Sequence, residues 1–166
     1  MACAKPADMG MPIGPERDGV HLVITSDPLA VRAGLANLLA SPLLGALNDA
    51  ARATAEIVLA EVLNNIVEHA YADISGDILI TLCNQPGGVV VDIHDQGHPF
   101  PQETLPQGTL PKTCPTNGLP EGGFGWFLIR SLVQNLTYRR DKLGNHLSFI
   151  LPTEADSETV SSFRPT

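Results

Sequence analysis

The residues from about Asn48 to Ala72 constrain the fold more than any other part of the chain. They are dense in alanine and leucine, which favour helix, and their apolar positions recur at helical spacing. Asn48 or Asp49 can cap the start. Ile57, Val58, Leu59, Val62, Leu63, Ile66 and Val67 can fill a core. A narrow polar stripe interrupts them. With Glu61 at zero and about 100° per residue, Asn65 falls at about 40°, Glu68 at about −20° and His69 at about 80°. Most polar stripes are solvated helix faces. This one lies in a very apolar helix and holds no Lys or Arg, whereas an exposed face usually mixes both signs. A carboxylate and a carboxamide one turn apart can act together on a metal-bound phosphate.

Other elements are placed around this helix. Val20–Thr25 is β-branched and reads as a strand. Ser26-Asp27-Pro28 opens a helix that runs to about Ala40, where Ser41-Pro42 stops it. Asp77–Asn84 and Val89–Ile93 alternate as strands around a hairpin turn at Gln85–Gly88. Gly125–Asn135 has helical spacing, and strands follow at Leu136–Arg140 and Asn145–Leu151. The order β-α-α-β-β-α-β-β predicts an α+β fold: a two-layer sandwich with a mixed, mostly antiparallel sheet covered on one face by helices. At 166 residues and 43% apolar content, one domain is expected. It should span residues 20–152, between flexible tails at 1–19 and 153–166.

A net charge of −8 with 17% charged residues argues against broad electrostatic binding to nucleic acid or an anionic membrane. Cys3, Cys83 and Cys114 are odd in number and widely spaced, which indicates neither a zinc site nor a disulfide framework. No signal-peptide pattern opens the chain and no apolar run reaches about 18 residues. A reducing cytoplasm is the expected location.

Two further segments carry chemistry. Asp95-Gln-Gly97-His-Pro99-Phe100 ends a strand, where a carboxylate can sit at the sheet edge and a glycine lets a ligand approach the backbone. Alone it is also an ordinary turn. Gly122-Gly-Phe-Gly125 opens a helix, whose free N–H groups can bind phosphate. It is neither a Walker loop nor a dinucleotide fingerprint. Between the two, residues 100–122 are broken repeatedly by proline and read as a long functional loop or lid. His94 and His98 bracket Asp95, but a single His-x3-His in a loop is a poor metal argument.

In this order and spacing, the three segments resemble the Asn box, the Asp-x-Gly box and the glycine-rich box of the histidine-kinase-like ATPase superfamily. The resemblance covers roughly residues 20–151. The segment Glu61…Asn65…His69-Ala-Tyr71, the variant Asp95-x-Gly97-x-Pro99-Phe100 and the ending Gly144-Asn145-x-Leu147 are most similar to the small bacterial anti-sigma-factor serine/threonine kinases of partner-switching systems. The resemblance implies a Bergerat-type ATP-binding fold using ATP and Mg²⁺. Asn65 would ligate Mg²⁺, Glu61 would be the general base, and Asp95 would accept a hydrogen bond from the adenine amino group. Gly97 would lie under the base with Pro99 nearby, and Gly123, Phe124 and Gly125 would meet the phosphates. His69 could touch phosphate or lid, although a histidine at a helix end is more often structural, and Glu68 reads as a solvated neighbour. Lys112, Arg130 and Arg32 are candidates for charge neutralisation. The chain departs from the pattern at Pro99, where some relatives carry a second glycine. It departs again around Asn145 or His146, where many carry a threonine near adenine.

The implied function is phosphorylation of a small anti-sigma antagonist together with sequestration of a sigma factor or similar regulator. A homodimer is also compatible with it. The alternative is an ATP-binding regulatory switch without kinase activity. The catalytic part of a two-component histidine kinase fits less well, because no helix pair bearing a phospho-acceptor histidine precedes the boxes and His21 falls in an expected strand.

Overall fold

The computed structural model describes residues 19–108 and 124–153. Period-two alternation builds five strands: β1 (Gly19–Thr25), β2 (Asp77–Gln85), β3 (Gly88–Asp95), β4 (Gln134–Asp141) and β5 (Gly144–Pro152). They form one sheet in the order β1-β2-β3-β5-β4. Every neighbouring pair is antiparallel, so the two-layer α+β architecture is as expected, but among the described residues the sheet contains no parallel pair and is not mixed. Along β2 the alternation is plain: Ile78, Ile80 and Leu82 are fully buried, whereas Leu79 between them is 40% exposed. Val91 and Ile93 of β3 and Leu147, Phe149 and Leu151 of β5 continue the buried face.

Helices cover that face. Asp27 caps α1 (Pro28–Leu39), its Oδ1 accepting from the N–H groups of Leu29 and Ala30 at 2.9 and 3.1 Å. Ser41-Pro42 ends α1 as expected, but it also opens a further short helix, α2 (Pro42–Gly45). The reason is local: Ser41 is a good cap and proline suits the first helical position. Asn48 caps α3 (Asp49–Asn65), accepting from Ala51 N at 2.8 Å. Val58, Leu59, Val62 and Leu63 of α3 are completely buried, each contributing about 1.5–3 kcal/mol by transfer from water. Ile57, expected in the core, is 45% exposed because it lies one turn before Glu61 on the stripe side.

Two boundaries move. The α-helical geometry of α3 stops at Asn65 rather than Ala72, and Ile66–Ala70 form a π turn. Tyr71 N donates to Ile66 O at 3.2 Å, an i to i−5 bond that closes it. The wider turn breaks the even angular spacing beyond Asn65. The last helix, α4 (Gly125–Leu132), ends before the expected Asn135, because Val133 is extended and β4 has begun at Gln134. Asn135 has a φ of 52° where the β4–β5 register slips between Gln134 and Thr137. Asparagine tolerates that left-handed backbone better than most residues.

Cys83 on β2 is disulfide-bonded, which the spacing of the cysteines did not suggest. Cys3 and Cys114 lie outside the described residues. So do nearly all of the two expected tails and the lid beyond Gly108. Among the described residues, no helix is long and apolar enough to cross a membrane.

Candidate functional site

Glu61 and Asn65 stand one turn apart on α3, and the start of α4 lies against both. A Cβ built on Gly125 would fall 2.5 Å from Glu61 Oε2 and 3.3 Å from Asn65 Nδ2. A side chain there would have to push the Glu61 carboxylate aside, so the glycine lets that carboxylate lie against the start of α4. Phe124, the N-cap of α4, is 39% exposed and gives no side-chain cap. The first-turn N–H groups of α4 thus carry the positive end of the helix dipole toward the α3 stripe. Gly123 lies outside the described residues.

The π turn carries the site toward the sheet edge. The Tyr71 hydroxyl donates to Asp77 O and accepts from Gln96 N, each at 3.0 Å, tying helix end, β2 and the loop after β3 together. His98 N donates to Ala70 O at 2.8 Å. A Cβ on Gly97 would lie 2.5 Å from the same carbonyl oxygen. The glycine of the Asp-x-Gly segment is therefore needed first for packing on the helix end. Gly97→Ala should cost about 1–3 kcal/mol as an overpacking defect, read as a lower Tm. An unchanged Tm would mean that this loop can lift from Ala70 freely.

A cavity of about 460 Å³ opens beside this junction, lined among others by Glu68, His69, Asp95, Pro99, Phe100 and Trp126. Glu68, His69 and Pro99 are exposed at its rim, whereas Asp95 is only 7% exposed. Aromatic rings make one wall: Phe100 meets Trp126 edge-on at 5.2 Å and Tyr138 at 5.0 Å. Asp95 Oδ1 accepts from Gly97 N at 2.9 Å and from Asn145 Nδ2 at 2.7 Å. Burial pushes the Asp95 pKa above the usual carboxylate value, while those two bonds and the charge of Arg140 pull it back. Two buried donors in this region, Asn65 Nδ2 and Trp126 Nε1, have no hydrogen-bond partner among the described residues. Leaving a buried donor unpaired costs about 1–3 kcal/mol, a cost that a polar ligand can remove.

The structure thus gathers Glu61, Asn65 and Gly125 at one end, and His69, Asp95 and Pro99 around the cavity at the other. Other candidates are engaged elsewhere. His94 meets His146 on the far face of the sheet, while His98, although it also lines the cavity, pairs with Asp73 at 2.7 Å. Arg130 Nε donates to Pro106 O at 2.8 Å, holding the start of the long loop against α4. Lys112 lies outside the described residues. Sequence reasoning gave no role to Tyr71, Trp126, Tyr138 or Arg140. Tyr71 lay within a segment already singled out, but Tyr138 and Arg140 enter only through strand register, which leaves no short-range signal. A second groove, about 480 Å³, lies at the opposite end of the sheet between the α2 region and Asn84, and no ionisable side chain lines it.

The sequence profile of the histidine kinase-like ATPase domain matches residues 24–151. Among curated proteins, serine-protein kinase RsbW of Oceanobacillus iheyensis is 36% identical over 84 residues, covering 49% of this chain and 53% of that protein. The proteins of the same name from Bacillus mycoides and Halalkalibacterium halodurans are each 30% identical, over 89 and 88 residues. Those matches cover 52% of this chain in both cases, and 56% and 54% of the relatives. The chain therefore spans about half the length of the curated relatives it matches.

Proposed function

The chain belongs to the histidine kinase-like ATPase domain family, and from that premise we propose that it is an ATP- and Mg²⁺-dependent serine/threonine protein kinase of the anti-sigma-factor type. Its substrate would be a small anti-sigma antagonist, and it would also sequester a sigma factor or similar regulator. The observation that carries this reading is the pairing of Glu61 and Asn65 under the N-terminus of α4, next to a cavity with a buried carboxylate. The serine-protein kinases it resembles support the reaction type.

The residues fit the nucleotide. The aromatic wall and Asp95 suit a flat base bearing an amino group, for which Asp95 would be the acceptor. Gly97 would let the base approach the backbone. The orphaned Asn65 carboxamide and the α4 N-terminus with Phe124 and Gly125 suit phosphate oxygens, and Gly123 and His69 would assist at the ends of that row. Asn65 would hold Mg²⁺ through its carbonyl oxygen, a hard neutral ligand, and the bound ion would neutralise charge on the phosphates. Glu61 would take the proton of the substrate serine as its oxygen bonds to the terminal phosphorus and the bond to ADP breaks. Positioning supplies most of the acceleration in such transfers.

The test is incubation with labelled ATP, Mg²⁺ and a small anti-sigma antagonist protein from the same organism, followed by mapping of phosphate. One phosphorylated serine on the antagonist is expected. ATP binding with no transfer would leave a nucleotide-operated switch in place of a kinase.

A further inference from the structure

On the proposed reading that Asp95 accepts from the adenine amino group, we infer that Asn145 is a positioning residue that sets the direction of the Asp95 carboxylate, and with it the choice of base. Asn145 is 3% exposed and sits at the start of β5, between two strands. Register places it opposite Asp95 on β3 and opposite Arg140 on β4. Its Oδ1 accepts from the Tyr138 hydroxyl at 2.7 Å and from Arg140 Nη1 at 2.8 Å. Its Nδ2 donates to Asp95 Oδ1 at 2.7 Å and to His98 O at 3.1 Å.

The carboxamide can face only one way. A guanidinium has donors and no acceptor, so the atom beside Arg140 must be the oxygen, and the amide nitrogen must then face Asp95. Arg140 is itself held, because the same Nη1 donates to Gly97 O at 2.7 Å. Both hydrogen bonds that Asp95 receives from described residues go to Oδ1. Oδ2 is thereby left with its lone pairs for a ligand donor. An acceptor presented there selects a base bearing an amino group and opposes one bearing a carbonyl oxygen. A threonine at this position has one short hydroxyl arm and could not bridge Arg140 to Asp95 in this way.

Asp95 is faced by Tyr71 from the end of the π turn and by Tyr138 and Arg140 from β4, with Glu68, His69 and His98 also on the cavity, while the charge of His146 acts on it from the far face of the sheet. Burial raises the pKa of both tyrosines, keeping them neutral, so Arg140 is the constant charge. The Asn145 bond favours the ionised carboxylate. Without it the Asp95 pKa rises further, and affinity that needs the ionised form is lost at a higher pH on acidification.

The experiment compares binding of ATP and of purine riboside triphosphate, which lacks the amino group, to the intact protein and to Asn145→Leu across pH. The intact protein should prefer ATP by about tenfold or more, the scale of one charge-assisted hydrogen bond. Asn145→Leu should lose most of that preference, with little change for the analogue, and the acid limb of ATP binding should move to higher pH. If Asn145→Leu does not fold, Arg140→Met carries the test, since it frees the carboxamide oxygen and should also reduce the preference. A folded variant that keeps the full preference and the same acid limb overturns the inference. If the intact protein itself shows no preference, the adenine reading fails with it.

Discussion

Replacing Glu61 by glutamine should slow phosphoryl transfer to the antagonist by about 10²–10⁴-fold, the usual scale for loss of a general base, while ATP affinity changes little. Glutamine keeps the length of the side chain lying against Gly125, so the α3–α4 contact should survive and Tm should hold. What disappears is the ability to accept the serine proton. Single-turnover transfer with labelled ATP measures this without interference from product release. Transfer at the full rate would mean that Glu61 is not the base and that the α3 stripe serves binding alone.

Asp95→Asn should weaken ATP binding by about 1.5–3 kcal/mol, the value of a hydrogen bond to a charged group, or roughly 10–150-fold in Kd. The substituted carboxamide can keep its oxygen toward Gly97 N and Asn145 Nδ2, the two donors that now meet Oδ1. Its nitrogen then faces the adenine amino group, donor against donor. Stability should move the other way. Burial raises the Asp95 pKa in the folded protein, so the ionised group opposes folding above that pKa and the penalty fades as pH falls through it. Removing the charge should therefore hold or raise Tm near neutral pH. Weaker binding without lost stability separates a ligand contact from a structural one, and calorimetry showing unchanged affinity would remove Asp95 from the base site.

Much of this arrangement is legible in the sequence, and the rest is hidden for identifiable reasons. The pairing of Glu61 with Asn65 follows from helical periodicity, because four residues make about one turn wherever the helix is regular. That regularity ends at Ile66. The π turn there coincides with contacts from far along the chain: His98 N on Ala70 O, Gly97 against the same carbonyl, and Gln96 N on the Tyr71 hydroxyl. A helical wheel contains none of these. Asp95 at a strand end and Gly125 at a helix start are local signals and fall where expected. Asn145 belongs to the ending Gly144-Asn145-x-Leu147, and around it or His146 many relatives carry a threonine, but neither signal names its partners. Its neighbours are set by the register of three strands, which local patterns do not specify. Ile57 shows the converse limit: an apolar residue in an apolar helix, yet 45% exposed because it shares the polar side with Glu61.

The most direct test of the nucleotide site is a structure of the protein with Mg²⁺ and a non-hydrolysable ATP analogue. The account predicts the adenine amino group within hydrogen-bonding distance of Asp95 Oδ2, the metal on the Asn65 carboxamide oxygen, and the terminal phosphate between Glu61 and the start of α4. Nucleotide bound in the groove near Asn48 and Asn84, or in the cavity with its base turned away from Asp95, would contradict it.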